Sequence, residues 1–170
     1  MRSGVIEKGH LFYTVGCPHS GKSTYANNWV DGFISGLHEN NRVVLGGDDF
    51  RSALTGHEFV LQAEGMVASC IDIAAKALLN RGFDVLIDET SSTEATLIRY
   101  YRLDINALPI FIDTSREECI RRAIANKRDY LVGPINRIAN QLERIRPKWD
   151  ETIKSIKEYV ENVQKTGVTV

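Results

Sequence analysis

The chain has 170 residues and a formal net charge of −1, and 43% of its residues are hydrophobic while 25% are charged. A chain of this size is expected to build one domain around one core, so we predict a single domain over residues 1–170. The near-neutral charge argues against a protein that coats nucleic acid by charge alone, and the lack of a run of about 18 apolar residues argues against a membrane helix, so we expect a cytoplasmic protein without a membrane partner.

The first half of the chain alternates short apolar runs with helical periodicity. We predict strands at residues 11–15, 42–45 and 84–87, because each is a short apolar segment with turn signals beside it. The intervening helices have apolar residues three or four positions apart. These residues are Ala26, Val30, Phe33 and Leu37 in the first helix and Val60, Val67, Ile71, Ala74 and Leu78 in the second. We expect Gly82 to end the second helix.

The second half continues this alternation. Ser91 and Ser115 each precede a glutamate by three residues, which is the spacing of a capping box, so we predict that helices begin there. A strand is expected between them at residues 109–112. Pro134 is predicted to be the first residue of a further helix, and Pro147 to separate it from the last one. The whole pattern predicts an α/β fold whose central parallel sheet is covered by helices on both faces.

A complete phosphate-binding pattern follows the first strand. Residues 16–24 read Gly-Cys-Pro-His-Ser-Gly-Lys-Ser-Thr, which fits G-x-x-x-x-G-K-S/T. Backbone N–H groups of such a loop bind phosphate oxygens, while Lys22 reaches the β- and γ-phosphates and Ser23 offers its hydroxyl to Mg²⁺. We therefore expect ATP and Mg²⁺ as cofactors. The predicted nucleotide-binding residues of the loop are Gly16, Ser20, Gly21, Lys22, Ser23 and Thr24.

GTPases use the same kind of loop, and residues 126–129 match their guanine-reading N-K-x-D pattern. That pattern should follow an apolar strand, whereas here it ends the helix predicted from Ser115. The chain also has no D-x-x-G segment. We therefore reject a GTPase and expect a phosphotransferase.

Two strand ends carry acidic residues at the edge where ligands of parallel sheets bind. Asp48 and Arg51 follow the second strand, and we predict them as the base that accepts a hydroxyl proton and as the clamp for an anionic acceptor. The alternative is that Asp48 or Asp49 only caps a helix starting near Phe50, with Arg51 as a solvated charge. Asp88 ends the third strand as a Walker B acid does, which predicts a metal-side role, and Thr90 is a predicted acceptor contact. A strand-end turn is the alternative there.

The late part of the chain is basic. Residues 116–148 contain nine basic and four acidic residues, a formal charge of +5, so this region is suited to meet anions. Arginines that fold over a bound nucleotide stabilise charge on the transferring phosphoryl group. We predict a lid at approximately residues 121–134, with Arg122 and Arg128 as catalytic, donor-binding residues. The alternative is a solvated charged face.

Together these motifs resemble the 5′-kinase domain of the phage polynucleotide kinase family and related small P-loop kinases. The matching segments are residues 14–18 and 20–24, Asp48-Asp49-Phe50-Arg51, His57-Glu58, Glu64-Gly65, Asp88 with Thr90, Phe111-Ile112-Asp113, Arg122 and Arg128. The resemblance covers roughly residues 10–148. It implies that Asp48 is the general base, that Arg51 contacts the acceptor's phosphate and that the lid arginines grip the donor. His19 stands where the family usually has glycine.

The sequence thus favours transfer of the ATP γ-phosphoryl group to the 5′-hydroxyl of a polynucleotide, with a nucleic-acid 5′ end as substrate. A kinase for another hydroxyl stays open, such as a modified base in DNA like 5-hydroxymethyluracil, a nucleoside or a small molecule. An ATP-binding switch or assembly module is the alternative of another class. An intact Asp48 and Arg51 favour a kinase over such a module.

Overall fold

The computed structural model describes residues 7–31, 41–56 and 59–167. Four parallel strands form its sheet in the spatial order β2-β3-β1-β4. The strands are β1 Leu11–Val15, β2 Arg42–Gly46, β3 Asp84–Asp88 and β4 Leu108–Phe111. Gly46 at the end of β2 pairs with Asp88 at the end of β3, so the carboxyl ends of these neighbouring strands lie side by side.

Helices connect the strands and continue after β4. The α-helices in the described part of the chain are α1 Lys22–Asp31, α2 Gly47–Thr55, α3 Glu64–Leu79, α4 Glu94–Leu103, α5 Arg116–Ala125, α6 Val132–Ile145 and α7 Trp149–Thr166. Short 3₁₀ turns at Leu61–Ala63, Asp129–Leu131 and Arg146–Lys148 precede α3, α6 and α7. None of the described helices is long and apolar enough to cross a membrane.

Both faces of the sheet are covered, because successive strand residues point to opposite sides. Tyr13 of β1 packs against Tyr100 of α4, with ring centroids 4.8 Å apart, whereas its neighbour Phe12 packs against Trp29 of α1 at 5.6 Å. The main core lies between β1, β3, α3, α4 and α7. A smaller buried cluster joins the phosphate loop to α5 and α6. The predicted α/β fold with a doubly covered parallel sheet is confirmed.

Several strand and helix ends differ from the prediction. β2 and β3 each extend one residue further than expected, and β4 begins one residue earlier, at Leu108. Pro109 is tolerated within β4 because the strand lies at an edge of the described sheet. Val60 precedes the 3₁₀ turn before α3 rather than lying in the helix. Phe33 and Leu37 lie outside the described residues.

The predicted helix start is correct for α5 but wrong for α4 and α6. Ser115 caps α5 as predicted, since its Oγ accepts the Glu118 N–H at 3.2 Å. The residue that caps α4 is Thr93, not Ser91, because Ser91 has a φ of 51° and its buried hydroxyl contacts Tyr100. Pro134 is the third residue of α6 rather than the first. It remains in the first turn, where a missing N–H breaks no helical hydrogen bond.

One helix was missed. α2 begins directly after β2, and its N-cap is Gly46 with no side-chain hydrogen bond. The alternative in which Asp48 or Asp49 caps a helix is therefore wrong. Asp48 and Asp49 instead occupy the first turn, where the positive end of the helix dipole favours carboxylates. This direct junction places both aspartates at the carboxyl edge of the sheet.

Candidate active site

The phosphate loop runs from the end of β1 to the start of α1. Ser20 N–H donates to Cys17 O at 3.2 Å, and Gly16 N–H donates to Thr90 O at 3.3 Å. A Cβ on Gly16 would lie 2.9 Å from Ser20 Oγ and 3.0 Å from the backbone oxygen of Ile112. Such contacts are too close for a side chain, so the fold requires glycine at the start of the loop.

The middle of the loop adopts left-handed backbone conformations. Gly21 has a φ of 102° and His19 a φ of 60°, and this region favours glycine. His19 therefore carries a side chain at a position where glycine would be unstrained. Ser20 Oγ is buried and has no hydrogen-bond partner among the described residues. An unpaired buried hydroxyl is uncommon, and it fits a loop built to bind phosphate oxygens.

Lys22 is folded back over the loop. Its side chain is buried, with 8% of the residue exposed, and Nζ donates to Cys17 O at 2.7 Å. Burial lowers the pKa of Lys22, and the nearby Asp88 carboxylate partly opposes this effect. The ammonium group is thus held where phosphates of a bound nucleotide would replace the carbonyl as its partner.

The predicted metal-side residues meet beside the loop. Ser23 Oγ donates to Asp88 Oδ2 at 2.6 Å, and Thr14 Oγ1 donates to Asp88 Oδ1 at 3.1 Å. A hydroxyl next to a carboxylate supplies the oxygen ligands that Mg²⁺ prefers. Within the described residues, no group of three or more His, Cys, Asp or Glu side chains could hold a metal ion. Ser23 and Asp88 are thus the residues here that could contribute oxygen ligands to a Mg²⁺ ion brought with nucleotide phosphates.

One predicted lid arginine reaches the loop. Arg122 Nη1 lies 3.3 Å from His19 O and 3.4 Å from Ser20 O, and its Nε donates to Glu118 at 2.7 Å. Burial and the cationic Arg128, Lys22 and Arg122 together lower the pKa of His19. Arg122 therefore lies against the phosphate loop, while the positive charge of Arg128 acts on the same histidine.

The start of α5, the helix that carries Arg122, is anchored to the phosphate loop. Thr114 Oγ1 donates to Ser20 O at 2.7 Å, just before α5. Cys17 of the loop is buried with Cys119 and Ala123 of α5 and Ile135 of α6. The position of Arg122 is thus fixed by packing one turn away as well as by its own hydrogen bonds.

The predicted base and clamp are paired on α2. Arg51 Nη1 donates to Asp48 Oδ1 at 2.7 Å, and the Asp48 side chain is 87% exposed. Glu64 at the start of α3 accepts two further hydrogen bonds from Arg51, from Nε and from Nη2, each at 2.8 Å. These hydrogen bonds raise the pKa of Arg51. Asp48 is therefore oriented yet accessible, while its arginine is fixed from behind by Glu64.

A second carboxylate, that of Glu89 directly after β3, lies near the start of α2. Glu89 Oε2 accepts hydrogen bonds from Arg99 Nη2 and Tyr100 Oη, both at 2.6 Å. Arg99 Nε also lies 2.9 Å from Asp72, without the geometry of a hydrogen bond. A Cβ on Gly47 would lie 3.2 Å from Arg51 Nη1 and 3.4 Å from Glu89 Oε1. Glu89 and Arg51 thus flank the start of α2.

The sequence analysis named most of these residues but assigned no role to Glu89 or Arg99. Glu64 was named only as part of the resemblance. The sequence did contain a signal for Glu89, since it is a second acidic residue directly after Asp88 at the end of a strand. Thr90, a predicted acceptor contact, supports the loop through its carbonyl oxygen. Residues 57 and 58, which also entered through the resemblance, lie outside the described residues.

The chain resembles known proteins through a protein-family model and through its fold. The family model described as "AAA domain" (AAA_33) matches residues 11–148. No curated protein sequence matches the chain. A chain from the Pnkp1/Rnl/Hen1 RNA repair complex superimposes with a TM-score of 0.67 and 24% identity, covering 87% of this chain and 48% of that one. Another structure of the Pnkp1/Rnl/Hen1 complex gives a TM-score of 0.58 and 26% identity, covering 71% and 41%.

The APS kinase CysC of Mycobacterium tuberculosis, in complex with AMPPNP and APS, is also similar, with a TM-score of 0.56 and 22% identity over 69% of each chain. This chain spans about half the length, or less, of the chains it matches in the Pnkp1/Rnl/Hen1 structures. The neighbours share the fold of P-loop kinases. Because the family model covers most of the chain, from β1 through the basic segment, the chain belongs to the AAA domain family (AAA_33) and has a P-loop kinase fold.

Proposed function

We propose that the chain transfers the γ-phosphoryl group of ATP, with Mg²⁺, to the 5′-hydroxyl of a polynucleotide. The observation that carries this proposal is the exposed Asp48 carboxylate, which Arg51 orients at the same sheet edge as the phosphate loop. A slow nucleotide switch has no need of an oriented base facing an acceptor. A kinase needs one within reach of the hydroxyl.

In this mechanism the residues of the chain have separate tasks. Asp48 accepts the proton of the attacking hydroxyl, and Arg51 holds that carboxylate in place. Lys22 and Arg122 stabilise the charge on the transferring phosphoryl group from the loop side. Ser23 and Asp88 would hold Mg²⁺, which neutralises phosphate charge when bound. Residues 121–134 act as a lid that carries Arg122 and Arg128 to the donor.

A polynucleotide acceptor is supported by the similarity to a chain of an RNA repair complex and by the charge of +5 over residues 116–148. Part of that net charge is compensated from outside the segment, since Arg146 donates two hydrogen bonds to Asp113. Contact with a few phosphates near the 5′ end is therefore expected rather than a long electrostatic track.

A second candidate is a kinase for the hydroxyl of a nucleoside or other small molecule. Arg51 is matched by Asp48 and by the bidentate Glu64, so much of its charge is compensated before any acceptor binds. This arrangement favours an uncharged acceptor over one held through a phosphate. The fold is also shared with an APS kinase, whose structure contains the small molecule APS.

The decisive experiment incubates the protein with γ-labelled ATP and a panel of acceptors. The panel contains a 5′-hydroxyl oligonucleotide, DNA with internal 5-hydroxymethyluracil, free nucleosides and a sample without acceptor. Label at the 5′ terminus supports the proposal. Label on a nucleoside supports the second candidate, and label at an internal base supports a kinase for a modified base in DNA. Release of labelled phosphate without any transfer supports the switch module.

Salt dependence separates the two kinase candidates further. Each phosphate contact to a single strand contributes about −0.7 to the slope of log affinity against log salt, so one to three contacts should raise the acceptor KM modestly with salt. Arg51→Ala should raise this KM and flatten the slope if Arg51 contacts a phosphate. A nucleoside acceptor should show little salt dependence.

A further inference from the structure

The carboxylate of Glu89 is held in an orientation that the mechanism above does not use. Only 15% of its side chain is exposed. Both of its hydrogen bonds, from Arg99 and Tyr100, end on Oε2. The other oxygen, Oε1, faces Gly47 at the junction of β2 and α2, across from Arg51 Nη1. One oxygen is thus anchored in the protein while the other is directed at the acceptor side of the cleft.

A purely structural role explains this arrangement poorly. Arg99 is the shared partner of two acidic groups, because it also lies against Asp72. Burial raises the pKa of Asp72, which Arg99 opposes and the Glu89 carboxylate reinforces. Burying two carboxylates around one guanidinium costs stability compared with a matched pair or apolar residues. Groups kept in such surroundings at a cleft are frequently functional.

We propose that Glu89 is a specificity-determining residue, whose Oε1 accepts a hydrogen bond from a hydroxyl or amino group of the acceptor other than the hydroxyl that is phosphorylated. This inference rests on the proposed kinase function. Arg99 and Tyr100 are its positioning residues. In a polynucleotide the donor would be the 2′-hydroxyl or a base amino group of the terminal nucleotide.

The chemistry around Glu89 favours a donor group over an anion. Asp48 and Glu64 accept hydrogen bonds from the Arg51 guanidinium, and Glu89 Oε1 lies across Gly47 from it. A carboxylate that faces this space repels an anion and attracts a hydrogen-bond donor. Gly47 leaves the space between Arg51 and Glu89 open, since a methyl group there would contact both.

The test compares wild type, Glu89→Gln, Glu89→Ala, Gly47→Ala and Asp72→Asn on matched 5′-hydroxyl oligonucleotides. One pair differs only in ribose or deoxyribose at the terminal nucleotide, and another only in the presence of a base amino group. Glu89→Gln can keep an oxygen toward Arg99 and Tyr100 while presenting an amide donor to the cleft. Asp72→Asn changes the same buried network without touching the cleft.

We expect Glu89→Gln and Glu89→Ala to raise the acceptor KM about tenfold, the effect of one hydrogen bond to a charged group, with kcat changed by less than about twofold. The increase should occur only on the member of a pair that carries the donor, and the ATP KM should stay unchanged. Gly47→Ala should raise the same KM, because its methyl group would lie 3.2 Å from Arg51 Nη1 and 3.4 Å from Glu89 Oε1. Asp72→Asn should leave it unchanged.

Three results would overturn the inference while leaving the kinase proposal intact. They are an equal loss on both members of each pair, a fall in kcat with unchanged KM, and the same KM change in Asp72→Asn as in Glu89→Gln. A wild-type protein that phosphorylates no oligonucleotide overturns the proposed function instead, and the same variants are then compared on nucleoside pairs with and without the 2′-hydroxyl. Discrimination that survives Glu89→Ala on those pairs overturns the inference as well.

Discussion

The phosphate loop and the end of β2 lie at the same edge of the sheet but present opposite charge to the cleft. On the loop side, burial and the positive charges of Arg128, Lys22 and Arg122 lower the pKa of His19. On the other side, Asp48 accepts a hydrogen bond from Arg51, and Glu89 Oε1 lies across Gly47 from the same guanidinium. A cationic donor side suits nucleotide phosphates, whereas an anionic acceptor side suits a group that must lose a proton.

The two sides are also built differently. Most of the donor side comes from the contiguous residues 16–24 at the junction of β1 and α1. The acceptor side is assembled from α2, the start of α3 and the end of β3, with Arg99 of α4 behind it. Substitutions on the donor side should therefore affect every reaction of ATP, while those on the acceptor side should depend on the acceptor.

The largest loss is expected for Lys22→Met, which keeps much of the side-chain volume but removes the charge. Phosphoryl transfer should fall about 10³- to 10⁵-fold, the range known for a cation at a transferring phosphoryl group. The loss should be the same for all acceptors and for ATP hydrolysis. Steady-state kinetics with a thermal unfolding control measures this, and near wild-type turnover in the folded variant would contradict the donor-side assignment.

On the acceptor side, Asp48→Asn should lower kcat roughly 10²- to 10⁴-fold, as loss of a general base does, while ATP affinity stays close to wild type. The matched control is Asp49→Asn, one residue further along the first turn of α2, which should have a milder effect. Nucleotide titration and single-turnover kinetics give the two quantities. A larger effect of Asp49→Asn would move the base by one residue.

A smaller donor-side effect separates two neighbouring arginines. Arg122 reaches His19 O and Ser20 O of the loop, whereas Arg121 donates to Glu118 and is 69% exposed. Removing one hydrogen bond to a charged group costs about 1.5–3 kcal/mol, so Arg122→Ala should lower kcat roughly 10- to 100-fold. Arg121→Ala should remain close to wild type. Equal kinetic losses would mean that this segment acts through its net charge.

The smallest expected effect is on the free energy of unfolding. It comes from Asp72, which contacts Arg99 behind the acceptor side. Burial raises the pKa of Asp72 to about 6, with Arg99 opposing and Glu89 reinforcing the shift, while the unfolded value is about 3.9. Between these values the folded state binds more protons than the unfolded state, so stability should fall as pH rises from about 4 to about 6. Above that range Asp72 adds no further slope.

Asp72→Asn provides the control for this pH dependence. Relative to the variant, the wild type should lose roughly 1–2 kcal/mol between pH 4 and pH 6.5, given that Asp72 is partly exposed. Urea unfolding of both proteins at the two pH values measures the difference. Parallel stability curves would show that Asp72 keeps an ordinary pKa in the folded protein.

The comparison of the two sides also shows which features local sequence could predict. The phosphate loop, its strand and its helix were predictable because glycine placement and residue spacing restrict the backbone locally. Asp48 and Arg51 were predicted from their place directly after the second strand and from the resemblance. Their contact depends on α2, the helix that was missed, because residues three apart on a helix lie close together.

By itself the sequence determined the α/β order, the phosphate loop and the identity of the residues at each strand end. Only the tertiary structure decided that Glu64 fixes Arg51, that Arg99 turns one oxygen of Glu89 toward Gly47, and that Arg122 rather than Arg121 reaches the loop carbonyls. Those contacts join different elements, so they depend on how helices pack against the sheet and on which rotamer each long side chain adopts there. Spacing along the chain predicts neither the packing of the helices on the sheet nor these rotamers.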